Sequence, residues 1–269
     1  MNNNFSTSDR NSPPSKRQLL TLLGLFLGTI FLIIWVISAI LNNLVWLIPI
    51  NVEQQLGKVI VPTYEKLAKP SSTQDTLNQL LTKLENNITP KENNRNWQVL
   101  YIPEKTVNAI AIPGDRIIIY QGLLNKVQSE NELMMVLGHE LGHFAHRDHL
   151  RGIVRQLGLQ IVLSMILGNT GGLESSAINV IQVISNAKFS QEQETKADEF
   201  GLELLNKNYG HVGGATDFFV ELSKIKGLNL EILSTHPHPE TRVKQLENLI
   251  KQRHYQIRNK TPLLPELKS

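Results

Sequence analysis

From Gln18 to Val52 the chain carries no charged side chain, and that restricts its fold more than any motif downstream. Within the run, "LLTLLGLFLGTIFLIIWVISAIL" (19–41) is apolar enough to cross a hydrocarbon core about 30 Å thick as one helix. A transmembrane helix is therefore expected, with lipid contact through residues 19–41. Arg10, Lys16 and Arg17 precede the span and Glu53 follows it, which places the N-terminus in the cytoplasm and the rest on the other side. Trp35 and Trp46 are candidates for the far interface. The stretch exceeds the roughly 7–15 apolar residues of a signal peptide, and no A-x-A site follows it, so the anchor is read as uncleaved. This divides the chain into a disordered, Asn/Ser/Pro-rich N-terminus (1–17), an anchor (18–48), a catalytic-sized domain (49–258) and a tail (259–269).

The net charge of +3 loses its meaning once divided: residues 1–17 contribute +2, leaving +1 for the other 252. No basic footprint for nucleic acid exists. With no cysteine, disulfides, thiolate metal sites and cysteine nucleophiles are excluded, so a metal must sit on His, Asp or Glu.

After the anchor, Leu77, Leu80, Leu81 and Leu84 recur at helical spacing within 71–87. Short β-rich runs follow at 97–102, 107–112 and 116–120, the last two joined by Pro113-Gly114-Asp115 as a hairpin. Ser129 and Glu132 match a capping box and start a helix. Further helices are expected near 153–167, 175–186, 190–207, 214–225 and 239–256. The apolar stretches 157–168 and 175–187 are short for spans and read as a buried or membrane-dipping hairpin turning at 168–172.

The segment "HELGHFAHRDH" (139–149) holds four of the eight histidines. On a helix His139 and His143 lie one turn apart on one face, so both imidazoles can reach one ion. Glu140 stands beside that ion and is suited to take a proton from an attacking water and hand it to the leaving amine, the chemistry of peptide hydrolysis. His146 is about 10.5 Å from His139 along the axis and cannot share the ion. His149 could do so only after a chain turn that a glycine would make, and His146 stands there instead. Both read as partly exposed histidines at a helix C-terminus.

A catalytic zinc needs a third protein ligand and an open position. "FSQEQETKADEFG" (189–201) supplies Glu194 and Asp198 on one helical face, Glu194 for the metal and Asp198 to accept an N–H from a ligand histidine. Glu192, Glu199 and Glu203 compete for those roles. Residues 149 and 190 must then lie on one side of the membrane, so 157–187 crosses it twice or not at all, and its lengths favour not at all.

Taken together, "VEQQLG" (52–57), "NAIAIPGDRIIIYQGLL" (108–124), "HELGH" (139–143), "FSQEQETKAD" (189–198) and "STHPHPETRVKQL" (234–246) resemble zinc peptidase family M48, the HtpX/BepA-like gluzincins, over roughly residues 52–250. The resemblance implies an α+β, mostly α-helical peptidase domain with a small sheet packed on the H-E-x-x-H helix. It also implies one Zn2+ per chain on His139, His143 and Glu194, Glu140 as base and Asp198 as partner to a ligand. His236 is implied as a gate over the open position or an oxyanion donor, and Arg242 as the residue holding that segment. The implied activity is endopeptidase action on membrane-associated or misfolded proteins, with substrate added to a sheet edge near 108–120. The chain departs from the family pattern at Asp115, where a second glycine is usual, and at Gln191, where an arginine is usual. The rival readings are a zinc-stabilised chaperone or assembly factor without activity, and a prenyl-protein endopeptidase, whose relatives carry several spans.

Overall fold

The structure is a computed structural model and describes residues 14–88, 95–155, 182–184, 186–224 and 231–268. Helix α1 (Lys16–Leu44) has 29 residues, about 43 Å at 1.5 Å per residue. Its leucine, isoleucine and phenylalanine side chains stand exposed along most of its length. The hydroxyls of Thr21 and Thr29 donate to the carbonyls of Arg17 and Leu25, so neither is left bare on an apolar surface. Among the described residues this is the one helix long and apolar enough to cross a membrane.

A 3-10 turn (Val45–Leu47) and Pro49 redirect the chain into α2 (Ile50–Glu65). Glu53, Gly57, Ile60, Val61 and Tyr64 bury one face of α2. A Cβ on Gly57 would come within 2.3 Å of the Gly114 Cα, so two backbones touch where no side chain fits. Helix α3 (Ser72–Glu85) is capped by Ser71 and buries the four expected leucines.

Strands β1 (Gln98–Ile102), β2 (Ala109–Ile112) and β3 (Arg116–Tyr120) form a sheet in the order β1-β3-β2. β1 runs parallel to β3, with Leu100 opposite Ile118, and β2 antiparallel, with Ile110 opposite Ile118. Odd-numbered residues such as Val99, Ala109, Ile117 and Ile119 join the core with α3, while Leu100, Ile112, Ile118 and Tyr120 pack with α2. With both faces covered, the strands read as continuous apolar runs instead of alternating ones. β2 lies at the edge.

After the short α4 (Gln121–Leu124), Ser129 caps α5 (Glu130–Ala145), the helix of the two histidines. Residues 148–155 and 182–184 are helical, and the rest of the expected pair at 153–187 lies outside the described residues apart from 186–187. Helix α6 (Gln191–Tyr209) starts with a capping box of Ser190 and Gln193 and ends at Gly210 in the left-handed region. The two helices approach so closely that a Cβ on Gly142 would lie 2.7 Å from the Ala197 Cα, and one on Gly138 2.9 Å from the Gly201 Cα. Helices α7 (Asp217–Lys224), α8 (Glu231–Thr235) and α9 (Pro239–Gln252) complete the domain. The tail packs back: Leu263 and Leu267 are buried, the Thr261 carbonyl accepts the Glu130 N–H, and the Thr261 N–H donates to Asn131. The expected tail thus adds two leucines to the core.

Candidate metal centre

Helix α5 brings His139 and His143 into the interior, both buried, with their Nε2 atoms 3.1 Å apart. His139 Nδ1 lies 2.8 Å from Asp198 Oδ1, and His143 Nδ1 lies 3.1 Å from Asp148 Oδ2. A carboxylate partner keeps the ring proton on each Nδ1 and leaves a lone pair on each Nε2. Both Nε2 atoms can then turn a lone pair toward a cation placed between them.

The close seam between α5 and α6 brings Glu194 to that point. Its Oε1 is 3.5 Å from His143 Nε2, and its Oε2 is 3.7 Å from His139 Nε2. Donors at about 2.0–2.2 Å from a tetrahedral ion stand about 3.3–3.6 Å from one another. The observed separations of 3.1, 3.5 and 3.7 Å straddle that range. His236 supplies a fourth corner, with Nδ1 3.0 Å from Glu194 Oε1 and 3.2 Å from His139 Nε2. All four donor atoms fall within 4.8 Å of one another.

Electrostatics agree. Four acidic side chains (Glu140, Asp148, Glu194, Asp198) stand around the rings against two guanidiniums, Arg242 and the Arg151 that pairs with Asp148 at 3.3 Å, an excess of two that a divalent cation offsets. Burial opposes charge on His143, but Asp148 and Glu194 outweigh it and push the imidazole up to about 10. His139 is lowered, by burial and then by Arg242. Burial also works against the Glu194 carboxylate, yet His236, Arg242 and His139 hold it well below the usual range. Protonation is thus favoured on His143 and disfavoured on His139. Glu140 Oε2 and Glu194 Oε2 are buried without a hydrogen-bond partner, as acceptors awaiting a water or an ion would be. Arg242 Nη1 comes within 2.7 Å of Glu194 Oε2, but without hydrogen-bond alignment, so that contact is charge attraction alone.

All seven residues expected from the sequence meet here. Arg242 does more than hold its own segment: fully enclosed, it donates from Nε to Asp198 Oδ2 at 2.8 Å and lies 4.1 Å from the centre of the Phe219 ring. Glu140 Oε1 stands 3.8 Å from His236 Nε2. Three contributors escaped sequence reasoning. Asp148 orients His143, Gln193 Nε2 donates to Asp148 at 2.8 Å, and Phe189 stacks on the His143 ring at 3.9 Å. A carboxylate five residues after the second histidine, at the helix end, was the available signal for the first.

His146 is half-buried, with Nδ1 2.8 Å from the Gly142 carbonyl oxygen, as suits a helix end. His149 differs from expectation. It is buried, and its Nε2 lies 2.7 Å from Glu53 Oε1, aimed away from the other histidines. The chain turns at Arg147, which adopts φ 57° in place of a glycine, and this carries His149 toward α2.

A profile of Peptidase family M48 matches residues 71–250. Among named relatives, the mitochondrial metalloendopeptidase OMA1 of Arabidopsis thaliana is 34% identical over 155 residues, 56% of this chain and 31% of that protein. Metalloprotease LoiP of Escherichia coli (strain K12) is 30% identical over 149 residues, 54% of this chain and 59% of that one. The mitochondrial metalloendopeptidase OMA1 of Homo sapiens is 28% identical over 173 residues, 58% and 33% of the two chains. The chain thus spans less than two thirds of the length of each of these relatives.

Proposed function

We propose that this chain, which belongs to Peptidase family M48, is a membrane-anchored zinc metalloendopeptidase acting in protein quality control. The observation that carries the reading is the convergence of His139, His143 and Glu194 on one point, with Glu140 alongside. On this reading those three residues hold the metal. Bound zinc supplies two things, a lowered pKa for the attacking water and polarisation of the scissile carbonyl.

The protein's own groups do the rest. Glu140 accepts the proton of the attacking water and passes it to the leaving amine. Asp198 and Asp148 keep the two ring protons on Nδ1, so both Nε2 lone pairs stay aimed at the metal. Arg242 balances Asp198 and Glu194 and prevents the pair from repelling each other. His236 stands at the corner that the attacking water needs, and we assign it as a gate that must swing aside for turnover.

A substrate strand would pair with the edge of β2 that no described strand covers, displacing the Asn108 side chain that accepts the Ala109 N–H at 3.0 Å. Tyr120 N–H donates to the Asn108 carbonyl, which turns the backbone groups of Ala109 and Ala111 outward. Main-chain pairing reads sequence loosely, as quality control requires. The N-terminal helix, uncharged from Gln18 onward, supports attachment of the domain at the bilayer, and Arg10, Lys16 and Arg17 at and before its start support an N-in orientation with the catalytic domain on the non-cytoplasmic side.

The test is metal content and casein-type cleavage for wild type, Glu140→Gln and Glu194→Ala. One zinc per chain is expected in the first two, cleavage only in the first, and zinc loss in the third. Cleavage indifferent to Glu140→Gln would overturn the mechanism. A cellular role that survives Glu140→Gln would favour a non-enzymatic chaperone or assembly factor instead.

A further inference from the structure

Five ionisable side chains outside the metal centre are buried together beneath the sheet: Glu53, Arg95, Asp115, Arg147 and His149. Arg95 grips both oxygens of Glu53, at 2.7 and 2.9 Å, and reaches Asp115 at 2.6 Å. His149 Nε2 lies 2.7 Å from Glu53 Oε1, and Arg147 Nη2 donates to Glu53 Oε2 at 3.3 Å. Through Nη1, Arg147 also donates to the carbonyls of Val45 and Ile48, both at 2.6 Å. Those carbonyls belong to the turn that ends the membrane helix.

Arg147, Asp148 and His149 each hold something different. Arg147 holds the membrane elbow, Asp148 receives His143 Nδ1, and His149 rests on Glu53 with its Nδ1 3.3 Å from the His143 carbonyl oxygen. The elbow and the metal centre are thus two ends of one three-residue turn. The elbow, residues 45–48, lies outside both the stretch matched to the family profile, 71–250, and the wider resemblance that begins at "VEQQLG". Arg147 keeps a left-handed backbone that a glycine would adopt at lower cost, so its side chain, not its backbone, accounts for its presence.

We infer that Glu53 and Arg147 are positioning residues for the active centre: they dock the elbow of the membrane anchor onto the 147–149 turn, and through Asp148 they set the orientation of His143. The anchor is on this view a working part of the catalytic apparatus and not a tether. Glu53 suits the task because a carboxylate only accepts, and donors approach it from Arg95, Arg147 and His149. An amide in its place would turn N–H groups toward a guanidinium. The inference rests on His143 being a metal ligand.

The test uses the full chain in nanodiscs and compares wild type, Glu53→Gln, Arg147→Gln, Asp148→Asn and the double variant Glu53→Gln/Asp148→Asn. Zinc affinity is measured by chelator competition, the ligand field by the visible spectrum of the Co2+-loaded protein, and folding by the melting temperature of the metal-free form. Disturbing the partner of a ligand histidine lowers metal affinity by about 10–100-fold. Glu53→Gln and Arg147→Gln are expected to show a loss of that order and an altered Co2+ spectrum. The double variant should lose little more than Asp148→Asn alone, because both changes act through His143. Wild-type zinc affinity and Co2+ spectrum in Glu53→Gln, whatever its melting temperature, would overturn the inference, as would losses that simply add. A wild-type protein that held no zinc would overturn the ligand assignment, and the inference with it.

Discussion

The seam between α5 and α6 decides whether a metal can be held at all, and Gly142→Ala tests it with one methyl group. That methyl would sit 2.7 Å from the Ala197 Cα and 2.9 Å from the Ala197 carbonyl oxygen, whereas ordinary contact begins near 3.4 Å. To move from 2.7 to 3.4 Å, α6 must retreat by about 0.7 Å. Ala197 lies directly before Asp198 and one turn after Glu194, so both carboxylates travel with it. Metal–ligand distances tolerate only about ±0.2 Å. The Glu194 oxygen therefore leaves the ion's reach unless α6 also rotates.

Two stability effects of Gly142→Ala oppose each other. Alanine gains about 1 kcal/mol of helix propensity, and overpacking costs about 1–3 kcal/mol. A net loss of about 0–2 kcal/mol corresponds to at most about 8 °C in a domain of this size, at roughly 2–4 °C per kcal/mol. Zinc affinity should fall at least as far as it does when a ligand's partner is disturbed, about 10–100-fold. Metal binding would be lost while folding is nearly kept. Chelator competition with zinc, alongside thermal melting of the metal-free protein, reads both. A Gly142→Ala protein with wild-type zinc affinity and cleavage would refute the idea that backbone contact sets the position of Glu194.

Three further outcomes follow from the same geometry. If His236 is the gate proposed above, His236→Ala should raise basal cleavage at unchanged zinc content, since its Nδ1 stands 3.0 Å from Glu194 and 3.2 Å from His139; a fall in kcat with unchanged KM would instead make it an oxyanion donor. Arg242→Gln removes the one guanidinium that faces both Glu194 and Asp198 and leaves only imidazoles beside them; it should destabilise the metal-free protein by about 3–5 kcal/mol, with zinc restoring more melting temperature than it does in wild type, and equal zinc effects would count against the charge-balance argument. For pH, the Glu53 carboxyl opposes burial through His149 and Arg95 and is held well below its ordinary value of 4.5. A depressed carboxyl stabilises the fold above its unfolded value and loses that contribution as pH falls through the folded one. The difference in melting temperature between wild type and Glu53→Gln should be largest near neutrality and shrink below about pH 4.5; a constant difference would contradict it.

What could be read from the sequence follows the range over which the physics acts. The 3.6-residue spacing of His139 and His143, the capping box at Ser129 and the leucines of α3 depend on neighbours within a turn or two, and they were legible. Glu194 and Asp198 sit some fifty to sixty residues from their histidines, but their own spacing places both on one face, so a local pattern announced a distant contact. Glu53 offered no such spacing: it served as a marker of orientation and as part of "VEQQLG", and neither use pointed to burial. Its partners lie 42, 94 and 96 residues away, and a carboxylate enters the interior only once all of them arrive. Asp148 and His149 were hidden for a related reason. A helix that simply continued past His143 would carry them elsewhere, and only the left-handed turn at Arg147 separates them, one toward the metal centre and the other toward the anchor. Apolar periodicity survives ignorance of the tertiary fold because burial of a leucine needs no particular partner. Burial of a charge needs a named one, so the ionic residues that tie this domain to its N-terminal apolar helix are the part that only coordinates reveal.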